Sequence, residues 1–183
     1  MEKNNQKLLL KLARESILEN LTAKGSPTLE LLEQSKIKEL CGNEGSFVTL
    51  RIGDNLRGCI GNIIGEKPLY RQIYRLAKES AFGDPRFRAL SLAEADQIKI
   101  EISILTVPKV IKNVDEIVLG RDGVILTSGF QRALFLPQVA LEQEWDLETM
   151  LINLSLKANL QPTAWQQHST KFEVFQATVF EES

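Results

Sequence analysis

The chain has 183 residues, 43% of them hydrophobic and 25% charged, which suits one domain, or a main domain with a small subdomain, able to bury a core without metal or disulfide staples. A net charge of -2 and a pI near 5.6 carry no general affinity for polyanions and disfavour nucleic acid as a partner. Two cysteines, Cys41 and Cys59, and one histidine, His168, give neither a disulfide framework nor metal-ligand spacing, so no metal and no cofactor are expected.

The amino-terminal apolar run is broken by Lys11 and Arg14, so it reads as an amphipathic helix and not as a signal peptide. No stretch approaches the ~20 apolar residues that a membrane span needs. A reducing cytoplasm is the expected compartment. The first helix covers residues 5–23, with Leu9, Leu12, Ala13, Ile17 and Leu21 on one face and Gly25 as its stop. A short helix at Leu29–Gln34 and a polar connection over 35–45 follow. Phe47–Ile52 and Leu56–Gly61 then read as a hairpin across the turn Gly53-Asp54-Asn55.

Pro68 suits the first position of a helix whose core stripe is Leu69, Ile73, Leu76, Ala77 and Ala81, and which ends at Gly83-Asp84-Pro85. Ser91 can cap a turn over Leu92–Ala95. Residues 98–105 form the clearest strand: Ile98, Ile100, Ile102 and Ile104 fill one face, with Lys99, Glu101 and Ser103 on the other. One helical turn at Asn113–Glu116 precedes short strands at Ile117–Leu119, Val124–Thr127 and Ala133–Leu136. Pro137–Glu144 starts a helix, Asp146 caps another that carries Leu147, Met150, Leu151, Leu154 and Ala158, and Phe172–Phe180 is a last strand. Connections too short for crossover helices make the class α+β, with a mainly antiparallel sheet flanked by helices.

Chemistry concentrates in Leu56-Arg57-Gly58-Cys59-Ile60-Gly61. Strand alternation puts Arg57, Cys59 and Gly61 on one face, so a guanidinium can reach the thiol and favour the thiolate, while Leu56, Gly58 and Ile60 take the other. Glycines inside a strand, here Gly58 and Gly61, mark places where a ligand or another backbone approaches closely, or relieve a bulge. Glu101, on the polar face of its strand, is a better acid/base than the loop residue His168. Asp84 with Arg86 forms a self-sufficient corner anchored by Phe87; alternatively the Arg86 fork binds a carboxylate or phosphate. Gln138, after Pro137, adjoins backbone N–H groups that could hold an anion.

The hexapeptide 56–61 is similar to the signature of the AMMECR domain family, whose bacterial and archaeal members are called AmmeMemoRadiSam system protein A. Asp84-Pro85-Arg86-Phe87, Ile100-Glu101-Ile102-Ser103 with Leu105-Thr106, Leu136-Pro137-Gln138-Val139-Ala140 and the carboxyl-terminal Phe175–Phe180 resemble further family blocks in order. Ala133 stands where the family usually has Gly. The resemblance runs from about residue 5 to the end and implies a single AMMECR-type domain over 1–183: a larger antiparallel-sheet part with helices, a smaller subdomain, and a cleft between them. It also implies association with a Memo-like protein and a radical S-adenosylmethionine enzyme, without a settled reaction.

Two functions follow as expectations. One is an accessory protein acting with those partners through a cleft lined by the hexapeptide. The other is an enzyme with Cys59 as nucleophile activated by Arg57, Glu101 as acid/base, and Gly58, Gly61, Arg86 and Gln138 around a small anionic ligand.

Overall fold

A computed structural model describes all residues, 1–183. In chain order the elements are α1 (Lys3–Thr22), α2 (Pro27–Ser35), β1 (Glu44–Ile52), β2 (Asn55–Ile64), α3 (Leu69–Phe82), α4 (Leu92–Ala95), β3 (Ile98–Leu105), β4 (Lys109–Ile111), β5 (Gly123–Ser128), β6 (Gln131–Phe135), α5 (Pro137–Glu142), α6 (Leu147–Lys157), β7 (Lys171–Phe175) and β8 (Ala177–Glu181). Single 3₁₀ turns lie at Lys38–Leu40, Val114–Glu116 and Ala164–Gln166. The class is α+β, with two antiparallel sheets of four strands. The chain divides into two compact units, Met1–Leu105 with Thr178–Ser183, and Thr106–Ala177.

The first unit carries the sheet β2-β1-β3-β8. Its core face is set by alternation: Val48 opposes Ile102 and Leu50 opposes Ile100, all fully buried. Two helices cover that face. α1 presents Leu9, Leu12, Ala13 and Ile17, and α3 presents Leu69, Ile73, Leu76 and Ala77, residues spaced at three and four as a buried helical face requires. Each fully buried Leu or Ile is worth about 1.5–3 kcal/mol over an exposed one, so the stripes and not helix propensity hold α1 and α3 in place. α1 ends two residues earlier than its glycine suggests. Ala23 takes the left-handed conformation, φ 56°, and donates its N–H to the Glu19 carbonyl, leaving Gly25 exposed beyond it.

The second unit is built on the sheet β4-β7-β5-β6. β5 and β6 join through Gly129-Phe130, where φ of +59° at Gly129 gives the tight turn a two-residue hairpin needs. Val124, Leu126 and Phe172 from the sheet meet Met150, Leu151 and Leu154 of α6 in a core of its own.

Three differences from the sequence reading have local causes. Ile117–Leu119 is no strand: it runs from the 3₁₀ turn into a loop where the Val118 carbonyl accepts the N–H groups of Arg121 and Asp122. Phe172–Phe180 is two strands, interrupted at Gln176 and belonging to different sheets. β4 has only three residues after Pro108, too few for a period-2 pattern to register.

Candidate functional site

The hexapeptide occupies β2, the edge strand of the first sheet. Leu50 pairs with Gly58 while Arg51 pairs with Leu56, so Arg57 is an extra residue, a β-bulge. The bulge breaks the alternation on which the sequence reading relied. Leu56 moves to the face of Arg51. The Arg57 side chain runs instead to Glu94, with Nε donating to Oε1 at 3.1 Å and Nη2 to Oε2 at 3.4 Å, and Nη2 also donates to the Arg88 carbonyl at 2.9 Å. Glu94 is held down to about 2, first by Arg57, then by the backbone N–H and hydroxyl of Ser91 in the capping box of α4. The expected pairing of the Arg57 guanidinium with the Cys59 thiol is therefore corrected.

Both glycines of the motif have neighbours where a methyl group would stand. At Gly58 a Cβ would lie 2.1 Å from the Ser80 carbonyl oxygen, so α3 packs its backbone directly on β2. The same Ser80 extends its hydroxyl between the strands, accepting from Ile60 N–H at 3.0 Å and donating to the Val48 carbonyl at 2.8 Å. At Gly61 a Cβ would meet the Phe47 ring at 2.3 Å and the Ser46 carbonyl at 2.4 Å. The close approaches inferred from these glycines exist, but they are made by α3 and by Phe47.

An edge strand must also satisfy its outward peptide groups. At Cys59 this is done by side chains. The Asp84 carboxylate accepts the Cys59 N–H at 2.9 Å, and Arg86 Nη2 donates to the Cys59 carbonyl at 3.2 Å. Arg86 and Asp84 are themselves joined, Nε to Oδ1 at 2.9 Å and Nη2 to Oδ2 at 2.7 Å, and the Arg86 N–H adds a bond to Oδ1 at 3.1 Å. The Arg86 guanidinium, burial notwithstanding, holds the Asp84 carboxyl far below the usual carboxylate range. Asp84-Pro85-Arg86 is thus a side-chain substitute for a neighbouring strand at one residue of β2.

The thiol itself is half-buried and accepts a hydrogen bond from Thr49 Oγ1 at 3.3 Å. Burial pushes its pKa above the ordinary 9.0; the Thr49 bond and the Arg86 charge oppose this, and the Asp84 and Glu101 charges add to it. Burial thus favours the neutral thiol at Cys59, against the thiolate that the sequence reading expected. Glu101 lies where its strand face suggested: Thr49 pairs with Cys59 on one side and with Glu101 on the other, so thiol, hydroxyl and carboxylate form one row across β2, β1 and β3. With strands spaced ~4.8 Å apart, the backbones of Cys59 and Glu101 are ~10 Å apart.

Gln138 is half-buried in the first turn of α5, in the second unit. His168 is exposed in a loop of the same unit, and Cys41 is exposed after the 3₁₀ turn of the first. No three His, Cys, Asp or Glu side chains gather to hold a metal. Sequence reading missed Thr49, Ser80 and Glu94. Only Glu94 carried a signal, the Ser91-x-x-Glu94 spacing, and that signal points to a helix cap without naming Arg57.

A profile of the AMMECR1 family matches residues 10–180. The protein MJ0810 of Methanocaldococcus jannaschii is 42% identical over 146 residues, 75% of this chain and 73% of its own. A protein of Methanothermobacter thermautotrophicus is 37% identical over 188 residues, covering 100% of this chain and 96% of its own. The crystal structure of the uncharacterized protein PH0010 from Pyrococcus horikoshii superposes with a TM-score of 0.88 at 35% identity, covering 100% of this chain and 94% of that one. The bulged edge strand, its side-chain clamp and the α+β fold therefore belong to a chain that is a member of the AMMECR1 family.

Proposed function

We propose that this chain is an accessory protein that acts with a Memo-like protein and a radical S-adenosylmethionine enzyme through the surface built around Leu56–Gly61. The observation that supports the reading is the condition of Cys59. Its peptide groups are held by Asp84 and Arg86, burial disfavours its thiolate, and the guanidinium expected to activate it is engaged by Glu94. A strand held this firmly presents a fixed surface for recognition, while a thiol nucleophile needs a base or a cation that lowers its pKa.

The test is co-elution of the three purified proteins on size exclusion, with the wild-type chain and with Cys59→Ser. The reading expects both chains to co-elute with at least one partner and Cys59→Ser to keep its activity in cells. Failure of the wild type to bind either partner contradicts it. So does a Cys59→Ser chain that binds normally and is inactive, because that outcome assigns the sulfur a chemical step.

A further inference from the structure

The loop around Phe87 holds more positive charge than it neutralises. Arg57 Nε and Arg88 Nη2 share one oxygen, Glu94 Oε1, at 3.1 and 3.6 Å, so a single carboxylate serves two guanidiniums. Glu94 has little capacity left, because it also accepts the Ser91 N–H at 3.0 Å and the Ser91 hydroxyl at 2.8 Å. Asp84, the other acid of the loop, is engaged by Arg86 and by the Cys59 peptide. Three cations thus face two carboxylates whose lone pairs are already used.

The guanidinium of Arg57 is also incomplete. Arg57 is only 8% exposed, and its Nη1 is buried without an acceptor. Buried donors of a charged group are costly unless water or an ion completes them. Arg86 directs Nε and Nη2 to Asp84 and Cys59, which leaves its Nη1 for another acceptor, and the Arg88 side chain is 83% exposed. The guanidinium carbons of Arg57 and Arg86 both lie by the Phe87 ring, 5.9 and 5.5 Å from its centroid. Arginine forks match the oxygens of carboxylates and phosphates, and a desolvated fork binds them more strongly than an exposed one.

We infer that Arg57, Arg86 and Arg88 form a binding site for one oxyanion, a carboxylate or a phosphate group, at the Phe87 loop. Arg86 and Arg88 meet the anion from solvent. The Nη1 donors of Arg57, buried and without an acceptor, complete the set. The site rests on the charge and hydrogen-bond arrangement of the loop and stands whether or not the accessory reading above does. Its occupant is either a free phosphate group or a carboxylate, such as an acidic side chain of a partner.

The test is a titration of the ¹⁵N-labelled full chain with inorganic phosphate, and separately with acetate, at constant ionic strength, following the arginine Nε–Hε resonances. The Arg57 resonance should move along a saturable one-site curve. Arg88→Ala should weaken the apparent affinity at least tenfold, and Arg132→Ala, which removes an exposed partner of Glu173 in the second unit, should leave it unchanged. Saturation by phosphate alone assigns a phosphate ligand, and saturation by acetate as well assigns a carboxylate. A non-saturating shift of Arg57, or equal affinity in wild type and Arg88→Ala, overturns the site.

Discussion

Replacing Gly58 by alanine puts one methyl group between a strand and a helix backbone. The new Cβ would lie 2.1 Å from the Ser80 carbonyl oxygen, against 3.4 Å or more for ordinary contact, so α3 must retreat by more than an ångström. It cannot do so freely, because Leu69, Ile73, Leu76 and Ala77 of the same helix are fully buried. Overpacking of this kind costs about 1–3 kcal/mol. The retreat also pulls the Ser80 hydroxyl from Ile60 N–H and the Val48 carbonyl, a part-buried and a buried hydrogen bond worth about 1 kcal/mol each. Against this, alanine restricts the unfolded chain and returns about 0.4–1 kcal/mol. The net loss is about 2–4.6 kcal/mol, a fall in melting temperature of about 4–18 °C for a chain of this size. Urea unfolding should be followed by far-UV circular dichroism, since both tryptophans, Trp145 and Trp165, lie in the second unit and do not report on α3. Gly25→Ala is the control: that position is exposed, with nothing within 4 Å, and should be neutral or slightly stabilising. A Gly58→Ala chain as stable as Gly25→Ala would refute the contact between α3 and β2.

Acid should weaken the first unit through the same loop. Asp84 and Glu94 have folded pKa values below their ordinary 3.8 and 4.5, so the unfolded chain binds more protons as the pH falls; their contribution is complete above those ordinary values and is lost as pH drops towards 2. Denaturation midpoints between pH 6 and 2.5 should therefore fall steeply in the wild type and less steeply in Glu94→Gln; equal slopes would contradict this. Arg86→Ala should destabilise by about 1–2 kcal/mol at neutral pH, modest because the Arg86 side chain is 56% exposed, and should move the acid transition to higher pH as the Asp84 carboxyl returns towards its ordinary range. An unshifted transition would mean that Arg86 does not hold Asp84.

The parts of this fold that were legible in sequence are those where one period runs uninterrupted. The stripe of α3 and the isoleucine face of β3 repeat cleanly over their whole lengths, and the structure buries those residues. Asp84-Pro85-Arg86-Phe87 was readable as a self-contained corner because its acid and base lie two residues apart. The position of Arg57 was not legible. Alternation predicts its face only if β2 is regular; the glycines allowed for a bulge, but its position at Arg57 comes from the pairing of β2 with β1. The surroundings of the thiol were not legible for a related reason. A charged neighbour can be guessed from spacing, whereas burial depends on what packs over the strand, and burial is the larger influence on Cys59. Partners distant in sequence, such as Ser80 with Ile60 and Glu94 with Arg57, come together only in the folded chain.

The sharpest measurement is the pH titration of the Cys59 Cβ resonance by ¹³C NMR in a Cys41→Ser chain, which leaves a single thiol. A hexapeptide locked by Ser80, Asp84 and Arg86 around a half-buried sulfur predicts a midpoint above 9.0. A midpoint well below 9.0 would show a thiolate stabilised at neutral pH, and would return Cys59 to the role of nucleophile.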